Sequence, residues 1–353
     1  MAVGIGFDRV GFAAAGIAPH AERFRSWLAE GLHGGMEYLA RNAAKRMDPT
    51  LAVPGVRTVI ALALHYAEEG AEGISARSLD EARAVAASGR GEISRYAQGT
   101  DYHRVLEERL VRLCAALAGR FPEHRHRYYV DTGPVIERAW AENAGIGWIG
   151  KNACAIDPAR GSYFFIGVVL TTIEVPADEP AADHCGTCRL CIDACPTEAI
   201  VAPYRIDARR CISYLNIEHR GSIPPELREP MGGLVFGCDI CQEVCPYNRP
   251  DRLGGDPALA PRAENRRPPL EELASLTRET FTQRFPRSAV KRAKAAGLVR
   301  NAIVAIGNGG RSELIPLLRD LSVRKDFGSD PVLAETLQWA IERLERGQQA
   351  GGS

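Results

Sequence analysis

The sequence predicts an α/β (α+β) protein in three parts: a mixed N-terminal domain, a cysteine-rich middle and a C-terminal set of short helices. Three observations predict this. In the first half, short apolar runs suited to buried strands alternate with apolar residues at helical spacing. Eight of the ten cysteines fall between Cys185 and Cys245. Past about residue 270 the apolar positions recur at helical spacing only.

The 353 residues allow two or three domains with ample core. Residues 1–180 form the first. Thr58-Val59-Ile60-Ala61-Leu62-Ala63-Leu64 is an apolar run suited to a buried strand, and Tyr128–Val130 and Tyr163–Leu170 read alike. From Asp101 to Leu117, Val105, Leu106, Leu110, Leu113 and Leu117 mark one helix face. The polar stretch Glu174–Asp183 is a boundary. Residues 251–269, rich in Pro, Gly and Arg, read as a second linker. Three apolar faces follow: Leu298, Ala302, Ala305 and Ile306; Leu314, Leu317, Leu318 and Leu321; Leu333, Leu337, Ile341 and Leu344. Helices too short to bury such faces alone suggest a stacked helical-repeat unit.

No apolar run approaches the roughly 18 residues that span a membrane. Met1–Val10 lacks an apolar signal core, so the expectation is a cytoplasmic protein with no membrane partner. Lys+Arg and Asp+Glu number 44 each, which argues against broad nucleic-acid affinity but leaves room for a local basic face.

The cysteines carry the clearest chemistry. The first run is Cys185-x2-Cys188-x2-Cys191-x3-Cys195-Pro196 and the second is Cys238-x2-Cys241-x3-Cys245-Pro246, with Cys211 upstream to complete it. In two-cluster ferredoxins the last cysteine of each run serves the other cluster. One [4Fe–4S] cluster is therefore assigned Cys185, Cys188, Cys191 and Cys245. The other is assigned Cys195, Cys211, Cys238 and Cys241. Zinc is the competing reading of paired CxxC, and the completeness of the two CP-terminated runs argues against it. Cys114 lies on an apolar helix face and reads as core; Cys154 stays unassigned.

Two cubanes make a wire, so the N-terminal domain must hold what accepts the electrons. Asp131 follows an apolar strand and precedes Thr132-Gly133-Pro134. It reads as a helix-capping carboxylate or as a proton donor at a cofactor cleft, and partial burial would raise its pKa. Gly145, Gly147 and Gly150 form G-x-G-x-x-G without a strand before them, so no dinucleotide site is read there. No Walker loop or Gly-x-Ser-x-Gly elbow is present. The pattern Asp-x-His-x-x-Gly fails because Leu106 follows Asp101-Tyr102-His103 where glycine is needed.

The chain resembles the epoxyqueuosine reductases over nearly its whole length. The matching pieces are Arg41-Asn42, Lys45-Arg46-x-Asp48-Pro49, Val53-Pro54-Gly55, Ile93-Ser94-Arg95-Tyr96-Ala97, Gly99-x-Asp101-Tyr102-His103, Val130-Asp131-Thr132-Gly133-Pro134, Gly147-Trp148-Ile149-Gly150-Lys151-Asn152, Cys211-Ile212-Ser213-Tyr214-Leu215, Arg300-Asn301-Ala302 and Gly307-Asn308. The resemblance implies reduction of epoxyqueuosine to queuosine in the tRNA anticodon loop, using cobalamin and an external electron donor. It implies a cobalamin-binding domain (1–180), a ferredoxin-like domain (181–255) and a HEAT-like helical domain (270–348), in a protein expected to be a monomer. Asp131 matches the proposed proton donor, and Arg57, Ser94, Asn152 and Ser213 are implied near the corrinoid. Between Glu279 and Glu313 no acid occurs, while Arg284, Arg287, Lys291, Arg292, Lys294, Arg300 and Arg311 do. A solvated helix surface is the commoner use of such a run; with the resemblance, Arg287, Lys291, Arg292, Lys294, Arg300 and Arg220 become expected tRNA contacts. The alternative is a reductive dehalogenase-like enzyme acting on a small molecule.

Overall fold

The structure, a computed structural model, describes residues 1–67, 75–324 and 330–351. Four strands form the N-terminal sheet: β1 (Arg9–Ala14), β2 (Thr58–His65), β3 (His126–Tyr129) and β4 (Phe164–Thr171), ordered β1-β2-β4-β3. Every neighbouring pair is antiparallel, and Thr171 faces Thr58 on one side and His126 on the other. β2 is buried at all eight positions. Alternate residues enter different cores, which is why the strand is apolar throughout. Val59, Ala61 and Ala63 pack with Trp140 and Ala141. Ile60, Leu62 and Leu64 pack with Leu106, Leu110 and Leu113. Each fully buried leucine contributes about 1.5–3 kcal/mol.

Helix α1 (Leu79–Ala87) precedes α2 (Tyr102–Arg120), which covers one face of the sheet; α3 (Glu137–Asn143) covers the other. The N-terminal domain is therefore three layers with the sheet in the middle. Asp101 caps α2 by accepting the His103 backbone N–H at 3.1 Å.

The cysteine-rich part has only short elements: a helical turn within each cysteine run (Leu190–Asp193 and Ile240–Glu243), α4 (Ile212–Ile217) after Cys211, a turn at Pro225–Arg228 and three strands of two or three residues. It is welded to the N-terminal domain. Arg95 Nε lies 2.5 Å from Glu243 Oε1, both side chains buried, and the Tyr163 hydroxyl donates to the same oxygen at 2.6 Å. Gln242 and Asn248 donate to the Ser162 hydroxyl at 2.9 and 2.8 Å. The stretch read as a linker, 251–269, is packed down: Leu253 and Leu259 enter the α2-side core, and Asn265 donates to the Gln98 carbonyl at 2.9 Å. Its Pro and Gly serve tight turns over a surface.

The C-terminal helices include α5 (Leu270–Ala274), α6 (Lys294–Gly309), α7 (Ile315–Ser322) and α8 (Pro331–Gly351), with a further short helix at Arg278–Arg284 between α5 and α6. All three predicted faces meet in one core, with Leu317 and Ile341 at its rim. That core also takes Ile93, Val235 and Phe236, so it is shared with the domains before it. α6 is its central rod, and its two buried polar residues tie it to α4. Arg300 donates to the carbonyls of Leu215, His219 and Gly221 at 2.6, 2.9 and 2.7 Å. Asn301 donates to those of Asn216 and Val235 at 2.7 and 2.8 Å. Arg300 is 2% exposed, which corrects its expected role as a tRNA contact. Among the described residues no helix is long and apolar enough to cross a membrane.

Candidate active site

Asp131 lies two residues beyond β3 with φ at 55°, a left-handed conformation that strains most side chains but that aspartate tolerates. Gly133 makes the turn possible, since a Cβ there would stand 2.1 Å from Tyr129 Cδ1. The start of α2 meets the carboxylate. The Tyr102 hydroxyl donates to Asp131 Oδ2 at 2.7 Å, and His103 Nε2 is 3.7 Å from the same atom. His103 Nδ1 is 2.8 Å from Asp101 Oδ1, so the capping carboxylate also orients the imidazole. Tyr102 stacks on Phe165 of β4 with ring centroids 4.1 Å apart and planes 6° off parallel, which fixes its hydroxyl.

The carboxylate is crowded by protein, yet 67% of its side-chain surface stays open, as at the wall of a cleft. Burial pushes its pKa up. Hydrogen bonds from His103 and Tyr102, with the charges of His103 and Arg138, outweigh this and hold it below the ordinary carboxylate value. This corrects the expectation of a raised pKa: Asp131 rests as an anion. The protons sit beside it. Burial disfavours a charged His103, but its bonds to Asp101 and Asp131 raise its pKa to about 9. Glu137, at the start of α3, is raised to about 8 by burial and by the charge of Asp131. The charge of Asp131 is also felt at Tyr38, Tyr96 and Arg292. A cleft of about 290 Å³ lined by His103, Glu107, Tyr128, Tyr129, Val130 and Thr132 opens alongside. Arg46 Nε and Glu137 Oε1 are buried without a hydrogen-bond partner. His103 and Glu137 were missed in the sequence: the first was tested only as an axial-ligand motif, and the second had no spacing signal.

The other predicted cofactor residues scatter. Arg57 lies before the first residue of β2, at the sheet end away from Asp131, and pairs with Glu174 at 2.7 Å; that placement contradicts a shared site with Asp131. Ser94 is buried and donates to Asp239 Oδ1 at 2.5 Å, next to Cys238. Asn152 is buried and donates to the Cys241 carbonyl at 3.1 Å. Ser213 lies in α4, with its backbone N–H toward Cys211. Ser94, Asn152 and Ser213 thus hold the cysteine loops that border the site.

The thiols gather in two neighbourhoods. Cys191 has Cys245, Cys185 and Cys188 as neighbours. Cys238 has Cys211 and Cys195, and Cys241 has Cys238 and Cys211. Among the described residues no three His, Cys, Asp or Glu side chains converge as on a single metal ion; in a cubane each thiolate binds its own iron and the sulfurs stand further apart. Lys151 Nζ donates to the carbonyls of Gly186 and Cys188 at 2.6 and 2.8 Å, which clamps the first cysteine loop. Cys114 packs at the rim of the α2-side core, and burial raises its pKa to about 11.

The basic run borders the site in part. The Asp101 N–H donates to the Arg287 carbonyl at 2.8 Å, and Arg292 pairs with Glu218 at 2.7 Å and lies over the Tyr38 ring. Arg287, Arg292 and Lys294 are exposed and Lys291 is half-buried. Arg220 spends its guanidinium on the carbonyls of Ala293 and Arg292, both at 2.8 Å, so it braces this segment. Arg284 and Arg311 are paired with Glu272 and Glu313, acids that the run itself does not contain.

Two family models match. One, described as a 4Fe-4S double cluster binding domain, matches residues 184–248. The other, described as epoxyqueuosine reductase QueG, DUF1730, matches residues 46–132. An epoxyqueuosine reductase of Pseudomonas aeruginosa is 40% identical over 96% of this chain and 91% of its own length. That of Escherichia coli is 38% identical over 97% and 87%. A crystal structure of an epoxyqueuosine reductase with an epoxyqueuosine-modified tRNA-Tyr stem loop superposes with TM-score 0.86 at 31% identity, covering 99% of this chain and 92% of that one.

Proposed function

Because this chain belongs to the epoxyqueuosine reductase family, we propose that it reduces epoxyqueuosine to queuosine at the wobble position of the tRNA anticodon loop, the last step in making that nucleoside. It would take electrons from an external donor by way of two [4Fe–4S] clusters, with cobalamin as the cofactor they would serve. The enzyme works as a monomer in the cytoplasm. Residues 1–180 form the cobalamin-binding domain, 181–255 the ferredoxin-like domain, and 270–348 a HEAT-like unit that contributes to tRNA binding. The observation that carries this reading is the anionic Asp131 at the edge of an open cleft, between two groups that hold protons at neutral pH and within charge range of Tyr96, which also feels Asp239 beside the cluster ligand Cys238.

The residues fit a corrinoid. Buried Arg46 Nε and Glu137 Oε1, each without a partner, offer a donor and an acceptor suited to its peripheral carboxamides. Both ring nitrogens of His103 face carboxylates, Asp101 and Asp131, so the imidazole serves those acids. When bound, the cobalamin supplies a strongly reducing, nucleophilic cobalt. The protein supplies protons. Loss of an epoxide oxygen as water consumes two electrons and two protons. Asp131, at the cleft edge, passes protons to the departing oxygen. Because Asp131 rests as an anion, the proton reaches it from His103 along their contact, and the neutral Glu137 is the second reserve. Tyr102 holds the Asp131 carboxylate in place through its 2.7 Å hydrogen bond. The target base has to leave the loop stack to reach this cleft, as a single-stranded loop permits. Arg287, Lys291, Arg292 and Lys294 are placed to hold the neighbouring phosphates.

The test is mass analysis of tRNA nucleosides after incubation with protein, cobalamin and a low-potential reductant. Wild-type protein is expected to convert the epoxide. Asp131→Asn should lose roughly 10²–10⁴-fold in rate while keeping both clusters and tRNA binding. An epoxide unchanged by the wild type defeats the assignment.

A further inference from the structure

Near Asp131 stands a stacked group that the proton path does not use. Tyr38 lies in the short helical turn Glu37–Arg41, between β1 and β2. The chain just before it is pinned to α4: the Gly35 N–H donates to the Tyr214 hydroxyl at 2.7 Å. Gly34 permits that approach, since its φ is 58° and a Cβ there would stand 2.7 Å from Tyr214 Cζ. The Arg292 guanidinium lies over the Tyr38 ring, 5.4 Å from its centroid.

Arg292 is held along its edge and along its backbone. Its Nε and Nη2 donate to the two carboxylate oxygens of Glu218 at 2.7 and 3.0 Å, a bidentate pair. Its carbonyl and that of Ala293 accept from Arg220, both at 2.8 Å. Even so, 52% of its side-chain surface is open. An arginine that only joined two parts of the chain would be covered, as Arg300 is. The group adjoins the active site. Tyr38 and Arg292 both feel the charge of Asp131, and the Asp101 N–H donates to the Arg287 carbonyl in the segment that leads to Arg292.

We infer that Tyr38, Arg292 and Glu218 form a stacking platform for an unpaired nucleobase of the RNA loop, one that flanks the target nucleoside. The inference rests on the tRNA reading above and deepens it. Glu218 takes two nitrogens on the edge of the guanidinium and fixes its plane, Tyr38 backs it, and its open side offers a flat cation. Bases splayed from single-stranded loops stack on such guanidinium planes as they do on aromatic rings. Side chains already held in place lose little freedom when the base arrives. The platform stands within charge range of Asp131 but makes no hydrogen bond to it, so it takes a neighbour of the target base rather than the target. Nη1 lies outside the Glu218 pair and stays available to a phosphate. Arg41 and Lys45, exposed on the Tyr38 side, add cations beside it.

The experiment is filter binding of the full chain to an unmodified anticodon stem loop at several salt concentrations. An abasic nucleotide is placed at each loop position in turn, and every variant is checked by urea unfolding. Arg292→Lys keeps the charge but not the plane. It is expected to bind about tenfold more weakly with an unchanged salt slope. Tyr38→Leu should weaken binding to a similar extent, and Tyr38→Phe should stay within about twofold of wild type. One abasic position beside the wobble nucleotide should weaken the wild type about tenfold and Arg292→Lys hardly further, because both changes remove the same contact. Wild-type affinity in Arg292→Lys would overturn the inference. So would a loss that appears only as a smaller salt slope, which makes Arg292 a phosphate contact alone. Should Arg292→Lys unfold, the wild-type abasic scan decides, and no loss at either flanking position overturns the platform. A wild type that shows the whole pattern yet leaves the epoxide intact would instead defeat the proposed reaction and leave the platform standing.

Discussion

His103 faces a carboxylate on each ring nitrogen, Asp101 on one side and Asp131 on the other. This decides where the resting proton lies. Its pKa is raised from the unfolded value near 6.5 to about 9, so the charged interaction with both carboxylates is complete below about 6.5 and is lost as pH rises through about 9. Single-turnover reduction should accordingly be level near neutrality and fall on the alkaline side. Glu137, at about 8, faces Asp131, Arg46 and Arg138 and titrates in the same limb. The two are separable: His103→Gln should remove the component near 9 and slow turnover about 10²-fold, and Glu137→Gln should remove only the component near 8. Rates measured against pH, with tRNA affinity measured in parallel, check this. An alkaline limb identical in wild type and His103→Gln would take the proton from His103.

At the scale of elements, α6 separates stability from recognition. Arg300 looks, in sequence, like one more cation in an acid-free run. In the fold it bonds three carbonyls around α4, and burial lowers its pKa to about 10. Arg300→Leu strands those carbonyls, at about 1–3 kcal/mol for each one left buried and unpaired. Lys294→Ala, at an exposed position, should change stability by less than about 0.5 kcal/mol. It should also lower the slope of log affinity against log salt by about one. Urea unfolding and filter binding at several salt concentrations distinguish the two. An Arg300→Leu protein of wild-type stability and weakened tRNA affinity would return that residue to the interface. The contrast shows what a sequence can carry. β2 was legible because two-sided burial forces an unbroken apolar run. The double-cluster cysteine framework was legible because a cubane dictates ligand spacing. Arg300, Arg220 and the packed 251–269 stretch were not, since their partners lie tens of residues away and leave no periodic trace. The sign of the Asp131 shift was hidden for a similar reason: burial can be guessed from position, but donors on α2 cannot.

Across the whole molecule, the cysteine-rich part is a bridge that neither neighbour could release without losing its own core. Arg95, Tyr163 and Ser162 hold its second helical turn, Lys151 holds its first loop, and α6 holds α4. The proposed crossed ligation would add a covalent tie of the same kind, because each cluster would take ligands from both cysteine runs. Cys195 belongs to the first run by sequence and to the second thiol set by position, beside Cys211 and Cys238. Cys195→Ser is therefore expected to spare the first cluster and lose the second, with iron falling from about eight to about four per chain. Cys245→Ser should do the reverse, since Cys245 stands with Cys185 and Cys188. In the wild type two reduced cubanes so near each other should give a spin-coupled EPR spectrum, and either substitution should leave the simple spectrum of one. Adding cobalamin then orders the route. The second thiol set borders the turn that carries Asn152 and the Ser94–Asp239 pair, and Tyr96 feels both Asp239 and Asp131, so its cluster is the one proposed to pass electrons on toward the cleft. Cys195→Ser should stop cobalamin reduction while its surviving cluster still accepts electrons. Cys245→Ser should still allow it when a reductant can reach the second cluster directly. If Cys195→Ser kept the second cluster and lost the first, the crossing would be wrong, and the order of electron flow with it.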